Sequence, residues 1–331
     1  FNNYSGIKAF GNLMETLGVY WDVTFGNHDS EAYSYFDRED IAALYGSGEF
    51  EHCLFQAGPK DVDGYGNHTI EVKNSDGIIT QAMILIDSQA YIKDNIIESI
   101  LQTMRAKNYV GIDIDFEFIL ASDRDKFTDF VRQVSEAMRA NGYHTSVALA
   151  PKNSPDQKGL LYEGKDYKAL GQVADHLLLM TYEWGYTFGP PMAVAPLNKV
   201  KEVLDYGVSV IPKERILQGM PNYGYDWTLP YVRGESMAKS IGNVEAVEIA
   251  ERYRATIQFD EQAQTPFFYY TAEDGKAHVV WFEDARSIRS KLILNESYPL
   301  QGISYWNIMR YFPQNWMVVN QMFTIRNVYE E

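Results

Sequence analysis

Two periodicities alternate along most of this chain. Apolar residues recur every three or four positions over residues 96–107 and 125–140, which predicts amphipathic helices, the second capped by Ser122 or Asp123. Between them, residues 109–118 alternate apolar and acidic side chains without a break. Side chains two apart in a strand share a face, so Asp113, Asp115 and Glu117 point one way while Ile112, Ile114, Phe116 and Phe118 point the other. Alternating strands commonly leave their acids in water. Here the flanking helices argue for a parallel strand with its apolar face covered and its acids on an enclosed face.

The same order continues downstream. Short apolar segments at 145–150, 176–181, 215–220 and 302–307 read as further strands, with a helix at 199–206. About 75 residues separate the last two strands, far more than an ordinary crossover. They hold a helix at 244–253, a hairpin of 267–270 with 279–282 around Asp274 and Gly275, and a helix at 284–294. The predicted class is α/β: a (β/α)8 TIM-type barrel with a small α+β insertion, residues 228–299, between strands 7 and 8. Acids near a strand's C-terminal end then lie at the mouth of the barrel, where such folds do chemistry. Residues 19–25, 52–56 and 81–86 are the candidates for the first three strands, so the first three units are expected to be incomplete or irregular.

Residues 109–118 resemble the Asp-x-Asp-x-Glu signature on the fourth barrel strand of family 18 glycoside hydrolases, the chitinase family. Many members carry another Asp where this chain has Val110. Met180-Thr181-Tyr182-Glu183 resembles the family's Met-Thr-Tyr-Asp segment, with Glu183 in place of Asp. The similarity runs from about residue 91 to the C-terminus and lies nearest the chitinase-like N-acetylglucosaminidases of bacterial spore cortex. An ordinary retaining glycosidase uses two carboxylates about 5 Å apart, whereas this family uses the substrate's own acetamido oxygen as nucleophile. The resemblance implies that Glu117 protonates the glycosidic oxygen, Asp115 holds the acetamido N–H and steadies the oxazolinium-like cation, and Asp113 shares a proton with Asp115. Tyr182 would donate to the acetamido oxygen and Trp306 would floor the sugar ring. Adjacent carboxylates in an enclosed site cannot all ionise cheaply, so one stays protonated. An aromatic loop, Pro221-Asn222-Tyr223-Gly224-Tyr225-Asp226-Trp227, suits stacking on sugar faces at the same barrel end. Glu183, Trp184, Tyr223 and Asp226 are the further candidates for substrate contact, and no cofactor is implied.

Upstream, Gly26-Asn27-His28-Asp29 resembles a metal-ligand motif of calcineurin-like metallophosphoesterases, a likeness that extends through 33–44, 53–59 and 83–88. An Asn oxygen and a His nitrogen suit a borderline divalent metal. A two-metal centre needs more ligands than Asn27 and His28. That family's Asp-x-His and Gly-Asp motifs would lie before Phe1, its Gly-His motifs are not found downstream, and His144, His176 and His278 stand isolated. No working metal centre is therefore expected. Residues 1–88 read as a metallophosphoesterase-like α/β segment supplying the first barrel strands, and residues 89–331 as a glycoside hydrolase barrel. A metal-dependent phosphoesterase, an inactive fusion and a carbohydrate-binding barrel are the competing readings. A binding barrel usually lacks the acid, and Glu117 is present.

Composition then narrows the partners. A formal charge of -16 and a pI near 4.8 disfavour nucleic acid and anionic membrane, whose phosphates would repel this surface. A polysaccharide, chitin or peptidoglycan, carries no such conflict. No apolar run approaches about 18 residues, and the N-terminus lacks a charged start with an apolar stretch, so neither a membrane span nor a signal peptide is expected. Cys53 is the single cysteine, so an intramolecular disulfide is excluded and the compartment stays open. The family resemblance suggests a spore, cell-wall or extracellular setting and leaves the oligomeric state undetermined.

Overall fold

The structure, a computed structural model, describes residues 3–23, 38–58, 66–73, 79–85 and 94–324. Its contacts divide the chain into two units, Phe1–Asn108 and Tyr109–Glu331. In the first, α1 (Asn3–Leu17) and α2 (Arg38–Tyr45) close over an aromatic core in which Ile7 and Met14 meet Ile41, Leu44, Tyr45, Trp21, Phe50 and Phe55. Glu15 fixes the turn after α1 by accepting hydrogen bonds from the Trp21 indole at 2.9 Å and the His52 backbone at 3.0 Å. Among the described residues of the strand predicted at 19–25, the pairing is an isolated parallel bridge between Trp21 and Cys53. The amphipathic face of α1 carries helix through Leu17, and Gly18 turns the chain at a φ of 63°.

The segment predicted at 81–86 is strand β2, but its neighbour is not the parallel sheet. β1 (His68–Lys73) and β2 (Ile79–Leu85) pair antiparallel, His68 opposite Leu85, as a separate two-stranded sheet. α3 (Asp94–Lys107) completes this unit and buries Ile96, Ile100, Leu101 and Met104 at the helical spacing read from the sequence.

In the second unit strands and helices alternate: β3 (Gly111–Ile114), α4 (Arg124–Ala140), β4 (His144–Leu149), α5 (Tyr167–Val173), β5 (His176–Leu179), α6 (Leu197–Val210) and β6 (Ile216–Pro221). The insertion follows as β7 (Gly224–Thr228), β8 (Lys239–Ile241), α7 (Asn243–Arg252), β9 (Gln258–Asp260), β10 (Thr265–Thr271) and β11 (Ala277–Trp281). α8 (Ala285–Ser297), β12 (Gly302–Trp306) and α9 (Pro313–Met322) close the sequence. β12, β6, β5, β4 and β3 lie side by side in that order, all parallel. Val147, Leu149, Leu177, Leu179 and Ile216 are fully buried in this sheet, which is why its strands read as nearly unbroken apolar runs. Parallel pairing puts all five C-terminal ends along one edge.

The inserted strands form their own antiparallel sheet, ordered β8-β7-β11-β10-β9, with the predicted hairpin in register at Phe267 opposite Trp281. Phe268, Val280 and Phe282 pack it onto α7. Among the described residues no helix is long and apolar enough to cross a membrane.

Candidate active site

Asp113 lies within β3 and stands opposite Ser146 of β4, whose hydroxyl donates to its carboxylate. The ladder stops at Ile114, so Asp115 and Glu117 follow on irregular chain, where the sequence predicted strand through Phe118. Aromatic packing explains the early departure. Phe116 stacks on Phe130 of α4 at 5.7 Å with Phe127 beside it at 6.0 Å, which draws the chain toward the helix, while Phe118, predicted on the covered face, is 66% exposed. Phe130→Ala is therefore expected to cost about 3–4 kcal/mol in urea unfolding, the usual penalty for emptying a buried phenyl site. A cost under about 1 kcal/mol would show that the stack does not anchor this segment.

All three acids are open to solvent on one side, and protein crowds Asp113 and Asp115 on the other. The crowded side raises the proton affinity of the two aspartates. Burial raises Asp113 above the usual carboxylate range against the Ser146 hydrogen bond, and the charge of Asp115 adds to the rise. Burial raises Asp115 as well, opposed by the ammonium of Lys165.

Tyr182 leaves the end of β5 and is 8% exposed. Burial pushes its phenol upward, and the charges of Asp115, Asp113, Glu117 and Glu183 push it further, so at neutral pH it is a protonated donor among four carboxyls. Its ring fits because residue 219 is glycine: a Cβ there would lie 2.8 Å from Tyr182 Cε1 and 2.6 Å from the Leu179 carbonyl. Glu183 adopts a left-handed φ of 68°, a conformation costing a non-glycine residue on the order of 1 kcal/mol. The Tyr223 hydroxyl donates to its carboxylate, and that of Tyr225 does so at 3.1 Å. Burial raises Glu183, the two tyrosines oppose the rise, and the charge of Glu117 adds to it.

Residues 85–310 match the family described as glycosyl hydrolases family 18. The chain belongs to that family. It is 41% identical over 242 residues to the cortical fragment-lytic enzyme of Bacillus subtilis (strain 168), covering 73% of this chain and 56% of that protein. The crystal structure of the spore cortex-lytic enzyme SleL of Bacillus megaterium QM B1551 superposes with a TM-score of 0.68 at 44% identity, over 70% of this chain and 53% of that one. The chain thus spans about half the length of these relatives. A chitinase structure from Chromobacterium violaceum shares the fold at 23% identity and a TM-score of 0.67, over 98% of this chain and 96% of that one. The architecture of this family 18 chain is the α/β, (β/α)8 TIM-type barrel, with β3, β4, β5, β6 and β12 as its observed parallel strands.

Other residues singled out in the sequence lie around the family's acids or apart from them. Trp306 ends β12 with its indole side chain 53% exposed, and its carbonyl accepts from the Asn222 backbone at 3.0 Å. Trp184, Glu183 and Tyr182 line a cavity of about 140 Å³ together with Asn153, Gln157 and Lys199. Asp226 departs from expectation: both carboxylate oxygens are engaged inside the insertion sheet, by Tyr270 at 2.6 Å and His278 at 2.9 Å. Asn27 and His28 fall outside the described residues, and among the described residues no group of three His, Cys, Asp or Glu side chains is placed to hold a metal.

Two pairings at the site carried no signal in the sequence. Tyr225 was legible as an aromatic but not as a partner of Glu183, some forty positions away. Lys165 sits in a polar loop before α5 and reads there as an ordinary solvated lysine, yet it is 1% exposed and faces Asp115 and Glu117.

Proposed function

We propose that this chain is a retaining hydrolase of β-1,4-linked N-acetylglucosamine polymers, with spore-cortex peptidoglycan as first substrate and chitin as second. The observation that carries the reading is the gathering of Asp113, Asp115 and Glu117 around the buried hydroxyl-bearing Tyr182 at the C-terminal edge of the parallel sheet. In this reading the acetamido oxygen of the substrate attacks the anomeric carbon while the glycosidic C–O bond breaks and Glu117 gives its proton to the departing oxygen. Asp115 accepts the acetamido N–H and balances the cyclic cation, and Tyr182 donates to the acetamido oxygen. Water then opens the oxazolinium, with Glu117 taking back a proton, so configuration is retained. Asp113, raised by burial and hydrogen-bonded to Ser146, supplies the shared proton behind Asp115. Trp306 offers the exposed apolar face on which a sugar ring stacks, and Trp184, Glu183 and Tyr223 border the bound chain. The names of the cortex-lytic relatives favour peptidoglycan over chitin.

Release of reducing ends from N-acetylglucosamine oligomers, compared with the same oligomers after de-N-acetylation, tests this mechanism. A free amine cannot act as the internal nucleophile, so the deacetylated substrate is expected to lose about 10³-fold or more in rate. Comparable rates on both would overturn substrate assistance.

A further inference from the structure

Lys165 is 1% exposed, and among the described residues its ammonium has a single hydrogen bond, to the Ala148 carbonyl at 3.4 Å. An ammonium has three protons to place, and burying one without a counter-charge is expensive. Burial pulls the Lys165 ammonium below the ordinary lysine range, and the charges of Asp115 first and Glu117 second oppose that fall. Backbone geometry holds them together. Gly164, the preceding residue, packs so tightly on the chain leaving the acidic segment that a Cβ there would lie 2.1 Å from the Ile119 carbonyl oxygen. From the other side, the Lys152 ammonium bonds the Lys165 carbonyl at 3.2 Å and the Pro155 carbonyl at 3.3 Å, and Asp166 caps α5 by accepting from Ala169 N at 3.0 Å. The loop is pinned at both ends, so Lys165 is presented to the acids from a fixed backbone.

We propose that Lys165 is a positioning residue for charge: its buried ammonium keeps Asp115 an anion while Glu117 carries the catalytic proton. This rests on the family 18 reading above. The need for such a device follows from the crowding of acids. Burial favours the neutral form of Asp113 and Asp115 alike, yet a protonated Asp115 cannot balance the cation that forms on the sugar. Lys165 breaks the symmetry, because it faces Asp115 and Glu117 while Asp113 is held by Ser146. The other charges near this loop belong elsewhere: Lys152 is turned to backbone carbonyls, Glu163 pairs with Lys158, and Glu183 is held by Tyr223 and Tyr225. Tyr182 completes the groups that surround Asp115.

The consequence is a defined change in pH dependence. Removing the cation raises the proton affinity of Asp115 most, so the acid limb of the kcat/KM profile moves to higher pH by about one unit. One unit below the wild-type acid limb, Lys165→Met should lose about tenfold in rate. Lys165→Arg, which keeps the charge, should keep the wild-type limb. Lys165→Gln serves as a second neutral variant, with thermal melts reporting that each protein is folded.

Carboxyl ¹³C titration of labelled Asp, assigned by loss of one resonance in Asp115→Asn, gives a readout independent of turnover. Asp115 should titrate about one unit higher in Lys165→Met than in the wild type. An unmoved Asp115 titration, or a folded Lys165→Met enzyme whose acid limb stays in place whatever its rate, would overturn the proposal. If the wild-type chain hydrolyses no N-acetylglucosamine polymer, the enzymatic reading fails, and the titration alone decides whether Lys165 sets the charge of Asp115.

Discussion

Glu117→Gln is expected to lower kcat on N-acetylglucosamine oligomers by about 10²–10⁴-fold, with KM little changed. The substitution keeps the shape of the side chain and removes only the proton that the departing oxygen must receive. The side chain is exposed on its open side and its backbone lies outside the ladder, so folding should change by no more than about 0.5 kcal/mol. Steady-state kinetics across pH, with a thermal melt on each protein, is the measurement. A variant with wild-type kcat would strip Glu117 of the acid's role.

The second large effect falls on Asp115. Asp115→Asn should lower kcat by about 10²–10³-fold, because the lost negative charge is needed most when positive charge has developed on the sugar. The same change should make the fold more stable at neutral pH. Burial raises the affinity of Asp115 for its proton above that of an unfolded carboxyl, against the opposing Lys165. The native state therefore loses stability as pH rises from the ordinary value of 3.8 through the native one, and the deficit is complete above it. Differential scanning calorimetry should show the Asp115→Asn variant melting higher than wild type at pH 7, with the gap closing near pH 3. A variant less stable at pH 7 would mean that the Lys165 attraction outweighs the crowding. Loss of activity with gain of stability is what an acid retained for chemistry produces.

Short-range pattern carried much of this molecule. The helical spacing of residues 96–107 and 125–140, the apolar runs of β4, β5, β6 and β12, and the hairpin around Asp274 and Gly275 all appear where the sequence put them. Each depends on neighbours a few positions apart, so each is written locally. The alternation at 109–118 likewise announced three convergent carboxyls, although the strand itself ends at Ile114. What cut it short was Phe130, on a helix the pattern located but could not aim. In the first unit local pattern misled, since the described part of a β-prone stretch makes an isolated bridge at Trp21 and β2 found β1 as its partner.

By itself, then, the sequence located α3, α4, α6, α7, α8, the strands β4, β5, β6 and β12 and the hairpin, and singled out Asp113, Asp115, Glu117 and Tyr182 as candidates. It left α5, β8, β9 and α9 unread, and Gly224–Thr228, read as a loop, forms β7. Tertiary structure alone decided which charges meet. It drew Asp226 into the insertion sheet with His278 and Tyr270, tied Glu183 to Tyr223 and Tyr225, and turned Lys165 from a loop onto the acids. Those pairings span tens of residues and depend on how loops from different strands fold over one edge of a sheet, a property that no spacing along the chain encodes.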